Sequence, residues 1–267
     1  MGILILRVPD SSHDPKERFS SRVDAYVAAR PKYPPEIVPH LRDAIGLTRD
    51  WHIVDLGSGT GISCEPSLQN GNPVTGIEPN AAMRAAAEQS LRAFASFTSV
   101  NGAAEATTLS DACCDLVVAA QAFHWFDIPQ ARRETLRILR PAGYALLMWN
   151  DRKIGGTPFL HAYEELLIAF GTDYLNIRHN NITDAELRAF FGSSWRTATF
   201  PNHQHLDWPV LRSRLLSSSY TPPPGDPRHE PMLARLREIF HDHHDAHGRV
   251  TIEYQTELFY ARPSYNS

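Results

Sequence analysis

The stretch Val54–Ser63, VDLGSGTGIS, is the segment of this chain that best indicates its fold. It begins inside the short apolar run His52–Leu56, which predicts a strand, and it leads into a helix. Glycine permits a tight turn and lets a ligand approach the backbone, and the first turn of a helix offers unpaired N–H groups. Such a loop lies beyond the carboxyl end of its strand, where ligands of open parallel sheets bind. The stretch therefore predicts a strand–loop–helix unit at a binding edge.

The glycine spacing indicates which kind of ligand this loop holds. A dinucleotide-binding loop reads G-x-G-x-x-G, so a count from Gly57 and Gly59 would place its third glycine at Ile62. The glycine stands instead at Gly61, and an acidic residue, Asp55, precedes the loop. This spacing favours a ligand without a pyrophosphate, and a turn that binds no ligand is the alternative.

A second carboxylate, Glu78, ends the next predicted strand, Pro73–Glu78. At the tip of a neighbouring strand a carboxylate can accept both hydroxyl protons of a ribose. Together with the loop, Glu78 predicts an adenosine-type ligand and makes a purely structural turn a poor explanation.

Strands alternate with helices after the loop, which predicts a parallel sheet with helices on both faces. The predicted strands of this region are Phe97–Val100, Asp115–Ala120 and Gly143–Trp149, and its helices are Ala81–Phe94 and Pro129–Leu139. The pattern then changes to helices Thr157–Phe170, Thr183–Phe191 and Glu230–His244 and strands Trp195–Leu206 and Arg249–Ala261. Upstream, a helix over Phe19–Ala29 precedes the stiff linker Arg30–Pro35 and a short helix through Ile37 and Leu41.

Composition excludes several classes of protein. The 267 residues carry a formal net charge of −4 with no basic stripe, which disfavours a nucleic-acid partner. The three cysteines suit a reducing compartment rather than a disulfide framework. Only four consecutive apolar residues precede Arg7, too few for a signal peptide or a membrane span. We therefore expect a cytoplasmic protein, monomeric or homodimeric, that has no membrane partner.

Several motifs together resemble one family. VDLGSGTG and GIEPNAAM are similar to the first two motifs of class I S-adenosylmethionine-dependent methyltransferases. GAAEATTLSDACCDLVVAAQAFHWFD and LRPAGYALLMW resemble the stretches that lead into that family's fourth and fifth strands, and AYVAARPKYP and GRVTIEYQTELFYAR also fit. The closest subgroup is the small-molecule one (type 11), which includes the trans-aconitate methyltransferase-like proteins. The adjacent pair Cys113–Cys114 departs from the family, which more often has small or polar residues there.

The resemblance implies a fold and a division of the chain. The fold is α/β, doubly wound, with a mostly parallel seven-stranded sheet, a helical cap insertion and an antiparallel last strand. Residues 1–45 would be a helical segment that covers the cofactor, and residues 46–150 the core that binds S-adenosylmethionine. Residues 151–230 would form the cap and acceptor region, with a sheet strand near 195–206. Residues 231–267 would add the helix and strand that complete the core.

The resemblance also implies contacts to S-adenosylmethionine, whose product is S-adenosylhomocysteine. The methionine part would be held by Asp55, Gly57, Ser58, Gly59 and Gly61. Glu78 would bind the ribose, Met83 would pack on the adenine, Ala104 and Glu105 would contact the adenine edge, and Gln121 would line the sulfonium region.

Other residues are candidates for the reacting end. Arg30 could meet the methionine carboxylate, or it could be an exposed cation of a rigid linker. His124, just after the fourth strand, is the candidate base or acceptor-orienting group, and packing is its alternative role. Tyr33, Trp125 and Tyr220 are expected to bind the acceptor, although aromatic residues at such positions often belong to the core.

The tract His241–His247, HDHHDAH, predicts no metal site. Two of its histidines are four residues apart, but the tract lacks the HExxH order of a hydrolytic zinc site.

The preferred function is methyl transfer to an O, N or carboxylate of a small-molecule acceptor. The alternatives are a cofactor-binding protein of the same fold without transfer activity and an NAD-dependent oxidoreductase.

Overall fold

The computed structural model describes residues 29–172, 174 and 182–263. The predicted helix Phe19–Ala29 lies outside this range except for its last residue. The strands are β1 (Ile53–Leu56), β2 (Val74–Ile77), β3 (Phe97–Val100), β4 (Cys114–Ala120), β5 (Leu139–Arg152), β6 (Arg196–Leu206) and β7 (Val250–Ala261). The helices are α1 (Ile37–Ile45), α2 (Glu65–Asn70), α3 (Ala81–Ser90), α4 (Ile128–Ile138), α5 (Pro158–Phe170), α6 (Asp184–Phe191), α7 (Trp208–Leu216) and α8 (His229–His243).

The strands form one seven-stranded sheet in the order β3-β2-β1-β4-β5-β7-β6. The five strands from β1 to β5 pair in parallel. β7 runs antiparallel between β5 and β6. The predicted fold class is confirmed, including the antiparallel last strand. The carboxyl ends of the parallel strands therefore share one edge, and the glycine loop leaves β1 at that edge.

Burial explains why the central strands are apolar throughout. Every residue of β1 and β2 is buried, as expected for strands covered on both faces. One apolar cluster joins α1 and α2 to one face of the sheet, and a second joins α4 and α6 to the other face. A third cluster lies in the cap, where α5, α7 and α8 pack with the first half of β7. α8 thus belongs to the cap as well as to the C-terminal segment.

Three elements differ from the sequence predictions. α3 ends at Ser90 and not at Phe94, because Leu91 turns inward to fill the space beside Gly61 and the chain then reverses towards β3. β5 extends well beyond Gly143–Trp149 at both ends, because Leu139 pairs with Cys114 of β4 at its start and β7 pairs with it as far as Arg152.

α7 was not predicted. Asp207 caps its first turn by accepting from Val210 N–H, and a proline follows at the second position. Its buried face includes a charged residue, Arg214, so apolar periodicity gave no helical signal. Thr157 and Thr183, where two of the predicted helices begin, are both N-caps whose side chains accept a backbone N–H. Across the described ranges, none of the helices combines the length and apolarity needed to cross a bilayer.

Candidate functional site

The glycine loop is pinned against β2 by its own backbone. Gly57 and Ser58 both donate N–H groups to the carbonyl of Ile77, at 2.8 and 3.1 Å. Gly57 has φ +67°, and a Cβ there would lie 2.7 Å from the Cβ of Ala122, in the turn after β4. Only glycine satisfies both conditions without strain. The loop therefore passes close to the ends of β2 and β4 at once.

Asp55 is the buried carboxylate behind this loop, 1% exposed. Its Oδ2 accepts from the Ser63 hydroxyl and from Cys64 Sγ, the latter at 3.2 Å. Within the described residues its Oδ1 has no hydrogen-bond partner. Burial raises the pKa of Asp55 to about 6, although the donors from Ser63 and Cys64 oppose the rise. A buried acceptor without a donor is costly, so this oxygen fits a ligand that brings an N–H group.

Glu78 faces the loop from the end of β2. Its carboxylate accepts from Gly59 N–H at 3.1 Å and from Asn80 N–H at 2.8 Å. A carboxylate offers about four acceptor positions, and ribose hydroxyls are donors that such a group can accept from. Asn80 also caps α3, since its Oδ1 accepts from the N–H groups of Ala82 and Met83. The Asn80 N-cap fixes the first turn of α3 and with it Met83, whose side chain is buried.

The residues that are expected to contact the adenine and the sulfonium lie along the same edge of the sheet. Ala104 is buried in the second apolar cluster, and Glu105 accepts the Asp127 N–H at 2.8 Å. Gln121 has φ +58°, an unusual conformation for a residue with a side chain. Its N–H donates to the carbonyl of Met148 and its side chain to the carbonyl of Asn150, which holds the turn after β4 against β5.

The turn after β4 presents the candidate base. His124 and Trp125 are exposed, Trp125 at 55%, in a 3₁₀ turn. The His124 ring lies 4.6 Å from the Trp125 ring and 6.3 Å from the Trp149 ring, centroid to centroid. Desolvation lowers the pKa of His124 to about 4. The imidazole is therefore neutral at neutral pH, and it is a weaker base than a free histidine.

The segment before α1 links the loop to the cap. Lys32 pairs with Glu65 of α2 at 2.8 Å, and the carbonyl of Lys32 accepts from the side-chain amides of Asn150 and Asn202. Tyr33 is buried in the first apolar cluster beneath α1. Arg30 donates Nη2 to the carbonyl of Ser217, just past the end of α7, at 3.0 Å. Arg30 therefore touches the cap, while its predicted contact to the cofactor stays a prediction.

Tyr220 lies in a cluster of aromatic and charged side chains in the cap. Its ring meets the Tyr174 ring edge to face, with centroids 5.0 Å apart. Tyr174 donates its hydroxyl to Glu164 at 2.6 Å, and Arg152 pairs with the same Glu164 oxygen at 2.5 Å. The Arg152 guanidinium also lies 5.3 Å from the centre of the Tyr163 ring. The cap thus holds a buried ion pair among tyrosines.

Arg214, on α7, is one of the residues of this cluster that sequence reasoning missed. It is 7% exposed, and its guanidinium contacts the hydroxyls of Tyr254 and Ser218. Burial raises the pKa of Tyr163, whereas the positive charges of Arg214 and Arg152 oppose that rise, as expected for neighbouring groups. No motif surrounds Arg214 in the sequence WPVLRSRLL, so only its burial could have revealed it.

The histidine tract sits at the exposed end of α8. The His244 ring stacks on Phe240, and Asp245 accepts the N–H groups of His247 and Arg249. These contacts close the turn into β7. Among the described residues, no group of three histidine, cysteine or acidic side chains is arranged to hold a metal ion.

Residues 54–147 match the family model of a methyltransferase domain. An uncharacterized methyltransferase of Mycobacterium tuberculosis is 36% identical over 146 residues, 53% of this chain and 56% of the relative. A second, from Schizosaccharomyces pombe, is 30% identical over 151 residues, 56% of this chain and 58% of the relative. The chain thus spans about half the length of the curated relatives it matches.

Solved structures extend the likeness to most of the chain, as a likeness of fold. A candidate type II methyltransferase of Anaeromyxobacter dehalogenans superposes with a TM-score of 0.60 at 16% identity, over 87% of this chain and 97% of its own. The YcgJ protein of Bacillus subtilis gives a TM-score of 0.52 at 16% identity, over 84% and 97% of the two chains.

Proposed function

We propose that this chain, whose residues 54–147 match a methyltransferase domain, binds S-adenosylmethionine and methylates an O, N or carboxylate of a small-molecule acceptor. The observation that carries this proposal is the buried Asp55 Oδ1, which has no donor among the described residues, beside a glycine loop that contacts Glu78. An ammonium group fits the first carboxylate and a ribose diol fits the second.

Different residues of the chain would bind different parts of the cofactor. Asp55 holds the ammonium of the methionine part, and Glu78 accepts from the ribose hydroxyls. Arg30 pairs with the methionine carboxylate, a natural use of a guanidinium. Met83, Ala104 and Glu105 would surround the adenine at the edge of the sheet, and Gln121 would line the region of the sulfur.

When bound, S-adenosylmethionine supplies a methyl carbon already activated by its sulfonium, so positioning and exclusion of water account for most of the catalysis. An acceptor that carries a proton must lose it during transfer. His124 is neutral and stands in the turn after β4, so it can take that proton. Trp125, Tyr33 and Tyr220 would bind the acceptor on the same side of the sheet.

Titration calorimetry on the full chain tests the donor. S-adenosylmethionine and S-adenosylhomocysteine should bind, and NAD should not. Glu78→Ala should weaken S-adenosylhomocysteine roughly 10- to 100-fold, because charge-assisted hydrogen bonds are lost. Glu88→Ala, on the exposed face of α3, is the matched control and should leave the affinity unchanged. Binding of NAD without either adenosyl compound would overturn the proposal.

Product formation tests the transfer step. With donor bound, a panel of small acids, amines and alcohols should yield a methylated product with at least one acceptor. His124→Ala should then lower kcat for acceptors that carry a proton on the reacting atom. Unchanged turnover in that variant would remove His124 as a base. If the donor bound and no acceptor reacted, the cofactor-binding protein without activity would be the better description.

A further inference from the structure

Arg214 is a buried cation with no carboxylate partner among the described residues. Its Nε lies 3.4 Å from the Tyr254 hydroxyl and its Nη1 lies 3.2 Å from the Ser218 hydroxyl. Both partners are neutral. Across the described ranges, no carboxylate forms an ion pair with this guanidinium. An uncompensated charge in a protein interior is expensive, so a fold that keeps one has a use for it.

The neighbouring guanidinium shows the contrast. Arg152 is neutralised by Glu164 at 2.5 Å, and Tyr174 bridges the same pair through its hydroxyl. These two charges cancel. Counted over the described residues, the cluster therefore carries one net positive charge, on Arg214, with Tyr163, Tyr220 and Tyr254 nearby.

The cluster lies on the cofactor side of the sheet. Tyr254 of β7 is the register partner of Arg152, at the far carboxyl end of β5. The Tyr254 hydroxyl donates to Gln204 Oε1 at 2.7 Å, and Gln204 donates its Nε2 to the carbonyl of Ala29. The next residue, Arg30, reaches the end of α7. Arg214 thus lies on the side of the cap that contacts the segment before α1.

We propose that Arg214 anchors the carboxylate of a monoanionic acceptor, whose remaining part packs against the rings of Tyr163 and Tyr220. This proposal rests on the proposed methyl transfer, since it names the class of acceptor for the same site. A guanidinium matches a carboxylate with two parallel hydrogen bonds, and burial strengthens the pair. A polycarboxylate or a phosphate dianion would bring surplus negative charge towards Glu164, which has a like charge. One net positive charge therefore selects one carboxylate.

The test uses the full chain saturated with S-adenosylhomocysteine, so that the donor site is filled. Phenylacetate, hexanoate, phenylacetamide, hexanamide and the trianion tricarballylate are titrated by calorimetry. Each monocarboxylate should bind at least 10-fold more tightly than its amide and than tricarballylate. Amides that bind as well as the acids, a preference for the trianion, or no binding of either monocarboxylate would each overturn the proposal.

Variants assign the preference to one residue. Arg214→Gln should abolish the preference for acid over amide, and Arg214→Lys, which keeps the charge in case the glutamine variant does not fold, should retain part of it. Arg212→Gln, exposed on the same helix, is the matched control and should behave as wild type. An acid preference that persists in Arg214→Gln contradicts the assignment. S-adenosylhomocysteine affinity should be equal in all four proteins, and its absence in wild type would instead sink the proposed function.

Discussion

The glycine-loop edge and the cap cluster are built in opposite ways. At the loop edge, hydrogen bonds from backbone groups fix the glycine loop. Gly57 and Ser58 donate to one carbonyl of β2, and Glu78 accepts from the N–H of Gly59. In the cap, side chains hold side chains, as between Arg152, Glu164 and Tyr174. The first region depends on conformations that few residue types can adopt, the second on buried charges that must be matched.

Because of this difference, the two regions should be sensitive to different kinds of substitution. A loop fixed by backbone hydrogen bonds tolerates changes of side chain except where a positive φ or a close contact excludes a Cβ. A buried charge cluster tolerates changes of conformation poorly and loses most when one partner is removed.

Removing Arg152 should have the largest effect on stability. Arg152→Met leaves Glu164 buried without its partner and should lower the free energy of unfolding by about 3–5 kcal/mol. The double variant Arg152→Met/Glu164→Leu should recover most of that loss. Arg140→Met is the control on the same strand, since Arg140 is about half exposed and its pair with Asp115 contributes about 1 kcal/mol or less. Urea denaturation measures all of them, and equal losses at Arg152 and Arg140 would break the contrast.

Gly57→Ala should come next and should act on both stability and ligand binding. The positive φ costs about 1–2 kcal/mol in a residue with a Cβ, and the contact with Ala122 adds about 1–3 kcal/mol of overpacking. Gly225→Ala isolates the first cost, because Gly225 has φ +93° and open space around its Cβ position. Denaturation curves should show the larger loss at Gly57, and S-adenosylhomocysteine binding should fall only there. A loss at Gly225 as large as at Gly57 contradicts the role of the close contact.

Asp55→Asn should change how stability depends on pH. The folded-state pKa of Asp55 is raised from 3.8 to about 6, so the folded protein holds this proton more tightly than the unfolded chain does. The resulting stabilisation is complete below pH 4 and is lost as the pH rises to about 6. Wild type should therefore lose roughly 2–3 kcal/mol relative to Asp55→Asn between pH 4 and pH 7. Parallel urea titrations at the two pH values decide this, and a pH-independent difference would argue against the raised pKa.

Thr183→Ala should have the smallest effect, although it removes half of a capping box. Thr183 Oγ1 accepts from Glu186 N–H, and Glu186 accepts the Thr183 N–H at 2.8 Å. Loss of such a cap costs about 1 kcal/mol. Thr183→Ser keeps the hydroxyl and should lie close to wild type in thermal denaturation. If the alanine variant lost several kcal/mol, α6 would be more tightly coupled to the sheet than its single cap indicates.

The loop edge could be predicted from the sequence because its geometry is local. Gly57, Gly61 and Asp55 stand within one short stretch, and the spacing itself carries the information. Glu78 followed because adjacent parallel strands end at one edge. The strands were found for the same reason, since burial on both faces makes them apolar without interruption.

The cap cluster could not be predicted, because its members are brought together by the fold alone. Arg152 extends a strand that sequence reasoning ended at Trp149, and β7 pairs with it only after the chain has passed through the whole cap. Arg214 interrupts the apolar pattern of its helix, which concealed both the helix and the residue. A charged residue in a short amphipathic stretch is usually exposed, so its burial is information that no local pattern contains.

The position of β7 also has a consequence for how the protein is made. β6 pairs with β7 and β7 pairs with β5, so the last strand in the chain lies between two earlier ones. During synthesis on the ribosome, the parallel half of the sheet can form early, but the edge of β5 then exposes unpaired N–H and C=O groups until residues 250–261 emerge. An unpaired edge is a template for aggregation. Until residues 250–261 have been made, the parallel half of the sheet therefore keeps the edge of β5 open to other chains.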